Sequence, residues 1–341
     1  MPMRFSLSLG RQRRRQADQR QRALCMGVLV CLAVIISAAS AVAQSAAKLP
    51  RIGLLVWDTC EIHGLVPSLR DLGRIPGENI TLECRSAGKR YEGFTTATAE
   101  LVRLPVDVIV SDPQPAGHIA RSVTKTVPIV TILSGDPLGS GLVQSLARPG
   151  GNLTGVTYYA TELTGKRLEL LREMVLGISS IGVLANPDVA YLPFEEDTKR
   201  IAKLLGVALV IHHVRAPDEL DDAVHQMKAE GAQAVFVLPD VMFAHEAKRI
   251  ADLALAEKLP VMAWGSWFTE AGGLMAYSAD YTSLVRRLAV YVDKILTGAQ
   301  PGNLPIEQAA RFELSLNLRT ARILGLTIPP ELLIRADKVI E

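Results

Sequence analysis

Two stretches of the chain share one hydrophobic pattern. Val106–Pro113 reads VDVIVSDP and Ala232–Asp240 reads AQAVFVLPD. Each is an apolar, β-branched run that stops at a carboxylate beside a proline. Each follows a segment with helical spacing, TTATAELVRLP before the first and ELDDAVHQMKAEG before the second. About twenty residues further on comes another apolar run, TVPIVTI or LPVMAW. Strands of this kind, apolar on both faces and alternating with amphipathic helices, predict parallel sheets covered by helices on both sides.

The same alternation runs along most of the chain. RIGLLVW and NITLEC are predicted strands, with helices around Leu65–Leu72, Phe94–Leu104 and His118–Thr124. The segment from Ser134 to Tyr159 is rich in glycine and proline and breaks the rhythm. A second series then starts: a helix over Leu163–Val175, strands SSIGVLANP and VALVIHHV, and helices near Glu195–Leu205, Asp218–Glu230 and Ala244–Glu257. A long helix is predicted over Thr282–Leu296, followed by ELSLN and a short helical tail. The pattern predicts an α/β protein with two doubly wound βα modules of similar content, divided at the Gly/Pro stretch.

In such sheets ligands bind beyond the carboxyl ends of the strands. Asp112 and Asp240 stand there in the two modules, and facing modules would set them across one cleft. The competing reading makes each an N-cap of its following helix.

The first 43 residues read differently. A basic, polar stretch to Arg22 is followed by an apolar run of 13 residues, Leu24–Ile36, and by small residues ending Ala41-Val42-Ala43. This is the pattern of an export leader cleaved after Ala43, its apolar run being short for a membrane span. The leader changes the charge balance. The full chain is +2, but residues 1–43 carry seven Arg and one Asp, leaving the rest at −4. Nucleic-acid binding therefore has no electrostatic support. Cys60 and Cys84 survive processing; in an oxidising compartment they form a disulfide or remain two buried thiols.

Catalytic signatures are sparse. Gly139-Ser140-Gly141 begins a dinucleotide-like string, but Gln144 occupies the place of its third glycine. There is no phosphate loop of the GxxxxGK[ST] type and no GxSxG elbow. His118 and His245 begin corresponding segments and are expected at the surface. No spacing of cysteines or histidines suggests a zinc site, and no cofactor is expected.

What stands out suits capture of a small polar molecule. Ser111, Ser134 and Gly135 precede predicted helices or turns whose N–H groups can hold an anion. Asp58, Asp112, Asp136 and Asp240 at strand ends can accept from an ammonium or hydroxyl. Trp57, Tyr158, Tyr159, Tyr191, Trp267 and Phe268 fall at cleft positions where rings stack on a ligand. Trp264 is expected to pack against the sheet rim instead.

Four stretches resemble one family: SGDPLGSGLVQSLARPGGNLTGVT, ELTGKRLELL, EAGGLMAYSADY and the C-terminal LPIEQAARFELSLNLRTARILGLTIPPELLIRADKVIE. They are similar to periplasmic substrate-binding components of ABC transporters, in the tryptophan/tyrosine-type branch. The resemblance covers roughly residues 50–341. It implies a type I binding-protein fold, two Rossmann-like lobes joined by a three-crossing hinge. The lobes would be 50–156 plus 276–303 and 157–275 plus 304–341. Crossings would lie near Gly155–Tyr158, Gly273–Tyr277 and Asn303–Pro305.

The resemblance also implies a monomeric, non-enzymatic periplasmic receptor that delivers an amino acid or related carboxylate to an ABC permease. On this reading Trp57, Asp58, Ser111, Asp112, Gln114, Ser134, Gly135, Asp136, Tyr158, Tyr191, Asp240 and Trp267 are ligand-binding. The loops WDTCEIHG and Ser111–Gln114 depart from the family's usual glycine-rich forms. The alternatives are a sensory receptor of the same fold and a periplasmic enzyme.

Overall fold

A computed structural model describes residues 49–112, 114–158, 160–189 and 194–341. The predicted leader lies outside the described residues, as do Tyr159 and Tyr191 and the side chain of Gln114. Among the described residues, no helix is long and apolar enough to cross a membrane.

Pro50–Glu341 forms one unit built on two sheets. The first contains β1 (Arg51–Val56), β2 (Thr81–Ser86), β3 (Val108–Ser111), β4 (Ile129–Leu133), β5 (Leu153–Thr157) and β11 (Glu307–Gln308), in the order β11-β5-β4-β3-β1-β2. The second contains β6 (Ser180–Ala185), β7 (Ala208–His213), β8 (Val235–Val237), β9 (Val261–Ala263), β10 (Met275–Ala279), β12 (Phe312–Asn317) and β13 (Lys338–Ile340), in the order β13-β12-β10-β9-β8-β6-β7. Pairing is parallel throughout except between β10 and β12. The α/β expectation from continuous apolar runs therefore matches the structure: β3, β4, β5, β8 and β9 are buried at every position.

The helices follow in chain order: α1 (Leu65–Asp71), α2 (Gly93–Arg103), α3 (Gln114–Val123), α4 (Ala160–Met174), α5 (Phe194–Leu205) and α6 (Leu220–Ala229). Then come α7 (Val241–His245), α8 (Ala247–Ala256), α9 (Ser266–Glu270), α10 (Tyr281–Leu296), α11 (Leu318–Leu324) and α12 (Pro330–Arg335). The single helix expected over Ala244–Glu257 is two, α7 and α8. Asp240 caps the first, its carboxylate accepting from the Phe243 amide at 3.1 Å.

Helix α10 returns the chain to the first sheet. Leu284, Val285, Leu288, Ala289, Tyr291 and Val292 of α10 are buried in one cluster with Ile52, Leu54, Val108 and Val130. Each large side chain buried this way contributes about 1.5–3 kcal/mol, which outweighs the cost of ordering it. A second cluster runs from Leu55 of β1, Trp57 just after it and Phe94 of α2 to Val237 of β8, Val241 of α7 and Phe268 of α9.

The chain passes between the sheets three times, at Tyr158, at Asp280 and at Ala309–Arg311. Two of these passages come later than the sequence suggested. Residues 276–279 belong with the second sheet, because β10 pairs with β9 and β12. Residues 307–308 belong with the first, because β11 pairs with β5. The passages are bonded to one another: the Ala309 amide donates to Thr157 at 2.7 Å, and the Asp280 amide to Arg311 at 3.1 Å. Gly155, in β5 beside the first passage, has φ +151°. A β-carbon there would overlap the Thr131 carbonyl of β4, so only glycine lets the two strands pair.

Candidate functional site

The carboxyl ends of strands from both sheets surround one cavity of about 490 Å³. β1 supplies Trp57 and Asp58 just beyond its last residue, with Thr59, Glu61 and His63 in the following loop. β3 leads to Asp112, β4 to Ser134 and β5 to Tyr158. From the second sheet come Asp240 after β8, Trp264 after β9, Trp267 and Glu270 on α9, and Ser278 on β10; Tyr281 opens α10. Parallel strands all point their carboxyl ends toward the same side, so residues far apart in sequence converge there.

Seven of the twelve residues singled out from the sequence line this cavity: Trp57, Asp58, Asp112, Ser134, Tyr158, Asp240 and Trp267. Ser111 does not. It ends β3 fully buried, and its hydroxyl has no hydrogen-bond partner. Gly135 and Asp136 lie in the turn after β4, where the Asp136 carboxylate accepts from the Leu138 amide at 2.9 Å. Cys60 and Cys84 form a disulfide that ties the loop after β1 to β2.

Several lining residues were not anticipated. Trp264, expected at the rim, faces the cavity and meets Trp267 edge-on, with ring centroids 4.9 Å apart. Trp267 in turn contacts Tyr281 at 5.9 Å and 75°. His245, expected at the surface, also lines the cavity. Burial holds its imidazole below the usual range, Lys89 adds to this, and Asp58 and Glu246 oppose it.

The two aspartates that end the matched sequence phrases have matching environments. The Tyr281 hydroxyl donates to Asp112 and the Tyr91 hydroxyl donates to Asp240. Burial pushes both carboxyls up to about 6, and the tyrosine hydrogen bonds pull the other way. Asp240 is also held down by the Phe243 and Met242 amides and by Asn186. Burial raises Tyr158 and Tyr281 well above the usual phenol range, so both remain hydroxyl donors at neutral pH. Tyr158 hydrogen-bonds Ser134, which places a pair of hydroxyls against the cavity.

Behind the cavity, where the chain passes between the sheets, lies Arg167 of α4, 1% exposed. Its Nε donates to the Tyr277 carbonyl at 2.8 Å. Burial lowers its guanidinium to about 10, against the pull of Tyr158 and Tyr277, so it keeps its charge at neutral pH. Among the described residues, no group of three or more His, Cys, Asp or Glu is placed to hold a metal ion.

A cavity walled by two parallel sheets that exchange the chain three times is the plan of a type I periplasmic binding protein. The family model for ABC transporter substrate binding proteins matches residues 59–340. The chain belongs to this family. It is 24% identical over 264 residues to the tyrosine-binding protein of Clostridioides difficile strain R20291, covering 77% of this chain and 76% of the relative.

Two crystal structures share the fold. A conserved domain protein of Vibrio cholerae superposes with a TM-score of 0.79 at 26% identity. An ABC domain of Streptococcus pneumoniae in complex with L-Trp superposes with a TM-score of 0.78 at 24% identity. Each comparison covers 86% of this chain and 100% of the other.

Proposed function

We propose that this substrate-binding protein is exported to the periplasm, where it captures a small amine-bearing organic ligand, an amino acid or a related compound. It delivers that ligand to the permease of an ABC transporter. The two sheets with their helices act as lobes, hinged where the chain crosses at Tyr158, Asp280 and Ala309–Arg311, and closure is a bending of those three passages.

The observation that carries this reading is the cavity itself. It sits at the carboxyl ends of both sheets and combines aromatic walls with two buried aspartates, the features needed to hold an apolar body and an ammonium group. The names of the relatives point the same way: one is a tyrosine-binding protein, and one solved neighbour is a complex with L-Trp. Catalysis has no part in the proposal; the ligand binds more tightly to the closed form and shifts the population toward it.

The test is native mass spectrometry of the mature protein purified from its own periplasm, followed by calorimetric titration. A small adduct lost on denaturation, and a matching saturable heat of binding with the purified compound, are expected. Turnover of a compound without reversible binding of any solute would overturn the reading.

A further inference from the structure

Among the described residues, five carboxylates line the cavity and no lysine or arginine does. The carboxylates divide by location. At the rim, Asp58 pairs with Lys89 at 3.2 Å, Glu270 pairs with Lys338, and Glu61 lies 3.9 Å from His63. Asp112 and Asp240, at the strand ends, have only neutral donors. Asp112 takes the Tyr281 hydroxyl; Asp240 takes the Tyr91 hydroxyl and the Phe243 amide. Among the described residues, neither is in an ion pair.

That distribution is the reverse of what the protein alone would favour. Desolvation penalises a buried charge far more than an exposed one, so a carboxylate that is only 5% exposed, as Asp240 is, is the one expected to have a cationic partner. Here Asp58 and Glu270, at the rim, have lysine partners, while buried Asp240 and half-buried Asp112 have phenols. A phenol orients a carboxylate and stabilises its charge in part, but cannot neutralise it. The lining also carries five aromatic residues, Trp57, Trp264, Trp267, Tyr158 and Tyr281, beside aliphatic side chains, and the face of such a ring attracts cations.

We propose that the cleft selects ligands of net positive charge, amines carrying an aromatic or other apolar body, over zwitterionic and anionic molecules of the same shape. This rests on the receptor reading above and narrows its substrate class. The ammonium supplies the counter-charge that neither Asp112 nor Asp240 receives from the described residues. A carboxylate on the same ligand would face these acids with only neutral donors, such as the Ser134 and Ser278 hydroxyls, the Trp264 indole N–H and the His245 ring, to receive it.

The experiment is calorimetric titration of the mature protein with ring-matched sets: tryptamine, L-tryptophan and indole-3-propionate; phenethylamine, L-phenylalanine and 3-phenylpropionate. The expected result is that an amine binds at least tenfold tighter than its zwitterion, with no measurable binding of the acid. Asp240→Asn should weaken the amine tenfold or more and the zwitterion less than threefold; Asp112→Asn supplies the same contrast if the first variant does not fold. A zwitterion that binds as tightly as its amine overturns the proposal and leaves the receptor reading intact. A panel that binds nothing also overturns it, and only together with a clean mass in native mass spectrometry does it count against the receptor reading as well.

Discussion

Tyr91, in the segment after β2 of the first sheet, and Asp240, in the segment after β8 of the second, are joined by a hydrogen bond. Tyr91 lies between β2 and α2, packed at a 56° tilt against Trp57 with centroids 4.9 Å apart, while Asp240 caps α7 just beyond β8 of the other sheet. The bond therefore ties the segments that follow the two sheets' strands, and it uses a carboxylate that also faces the cavity. On the proposed hinge, it would favour the closed arrangement without any ligand.

Tyr91→Phe removes that bond and keeps the ring against Trp57. A hydrogen bond to a charged acceptor contributes about 1.5–3 kcal/mol. Losing it should shift the population toward open forms and weaken ligand binding about tenfold. Small-angle X-ray scattering of the unliganded protein should give a larger radius of gyration for the variant than for the wild type. Equal radii and equal affinities would show that the bond does not hold the lobes.

Asp112 and Asp240 give the protein a pH dependence of defined sign. Their folded values, about 6, lie above the ordinary 3.8, so the native state binds more protons than the unfolded chain between these limits. Stability then falls as pH rises from about 4 to about 6 and levels off above, by at most about 3 kcal/mol per carboxyl and less for the partly exposed Asp112. Glu307 has the opposite sign, because its hydrogen bond from Arg287 holds it below the usual range. The wild type must therefore be compared with Asp240→Asn across pH 4–8 in urea denaturation. The variant should gain relative stability with rising pH; parallel curves would sink the assignment.

Much of this was legible in the sequence, and the reason is physical. Runs such as VIVS and IVTIL are buried on both faces, so composition alone marks them as inner strands, and the strand-end rule then finds Asp112 and Asp240. Tyr91 and Tyr281 escaped because their partners lie 149 and 169 residues away, and no local pattern encodes such contacts. Ser111 was misplaced by one step of the pleat: adjacent strand residues face opposite ways, and its hydroxyl points into the covered side. The passages between sheets were drawn a few residues early because the ends of β10 and β11 are set by distant strands, β12 and β5.

The Cys60–Cys84 disulfide closes a loop with a sequence separation of 24 and fixes the segment that carries Asp58, Thr59 and Glu61 into the cavity wall. Chain entropy makes such a link worth about 3 kcal/mol. Reduction should lower the melting temperature by roughly 5 °C and weaken ligand binding. The double variant Cys60→Ser/Cys84→Ser should melt as the reduced wild type does and be indifferent to reductant. Unchanged melting and affinity on reduction would mean that the loop is held by its other contacts.

Gly265 decides where the Trp267 ring can lie. The backbone at Gly265 is extended, with φ −153°, so strain does not demand glycine there. Space does, because a β-carbon would collide with the Trp267 ring, the nearest group to that position. Gly265→Ala should therefore drive the indole away, breaking its contacts with Trp264 and with Tyr281, the residue that holds Asp112. Overpacking of this kind costs about 1–3 kcal/mol, and ligand affinity should fall tenfold or more with a shift in tryptophan emission. The decisive comparison adds Trp267→Ala. If the alanine acts only by displacing the indole, Gly265→Ala should have almost no further effect once the ring is gone, a strong departure from additivity. If the two losses simply add, the glycine is needed for something other than room for Trp267.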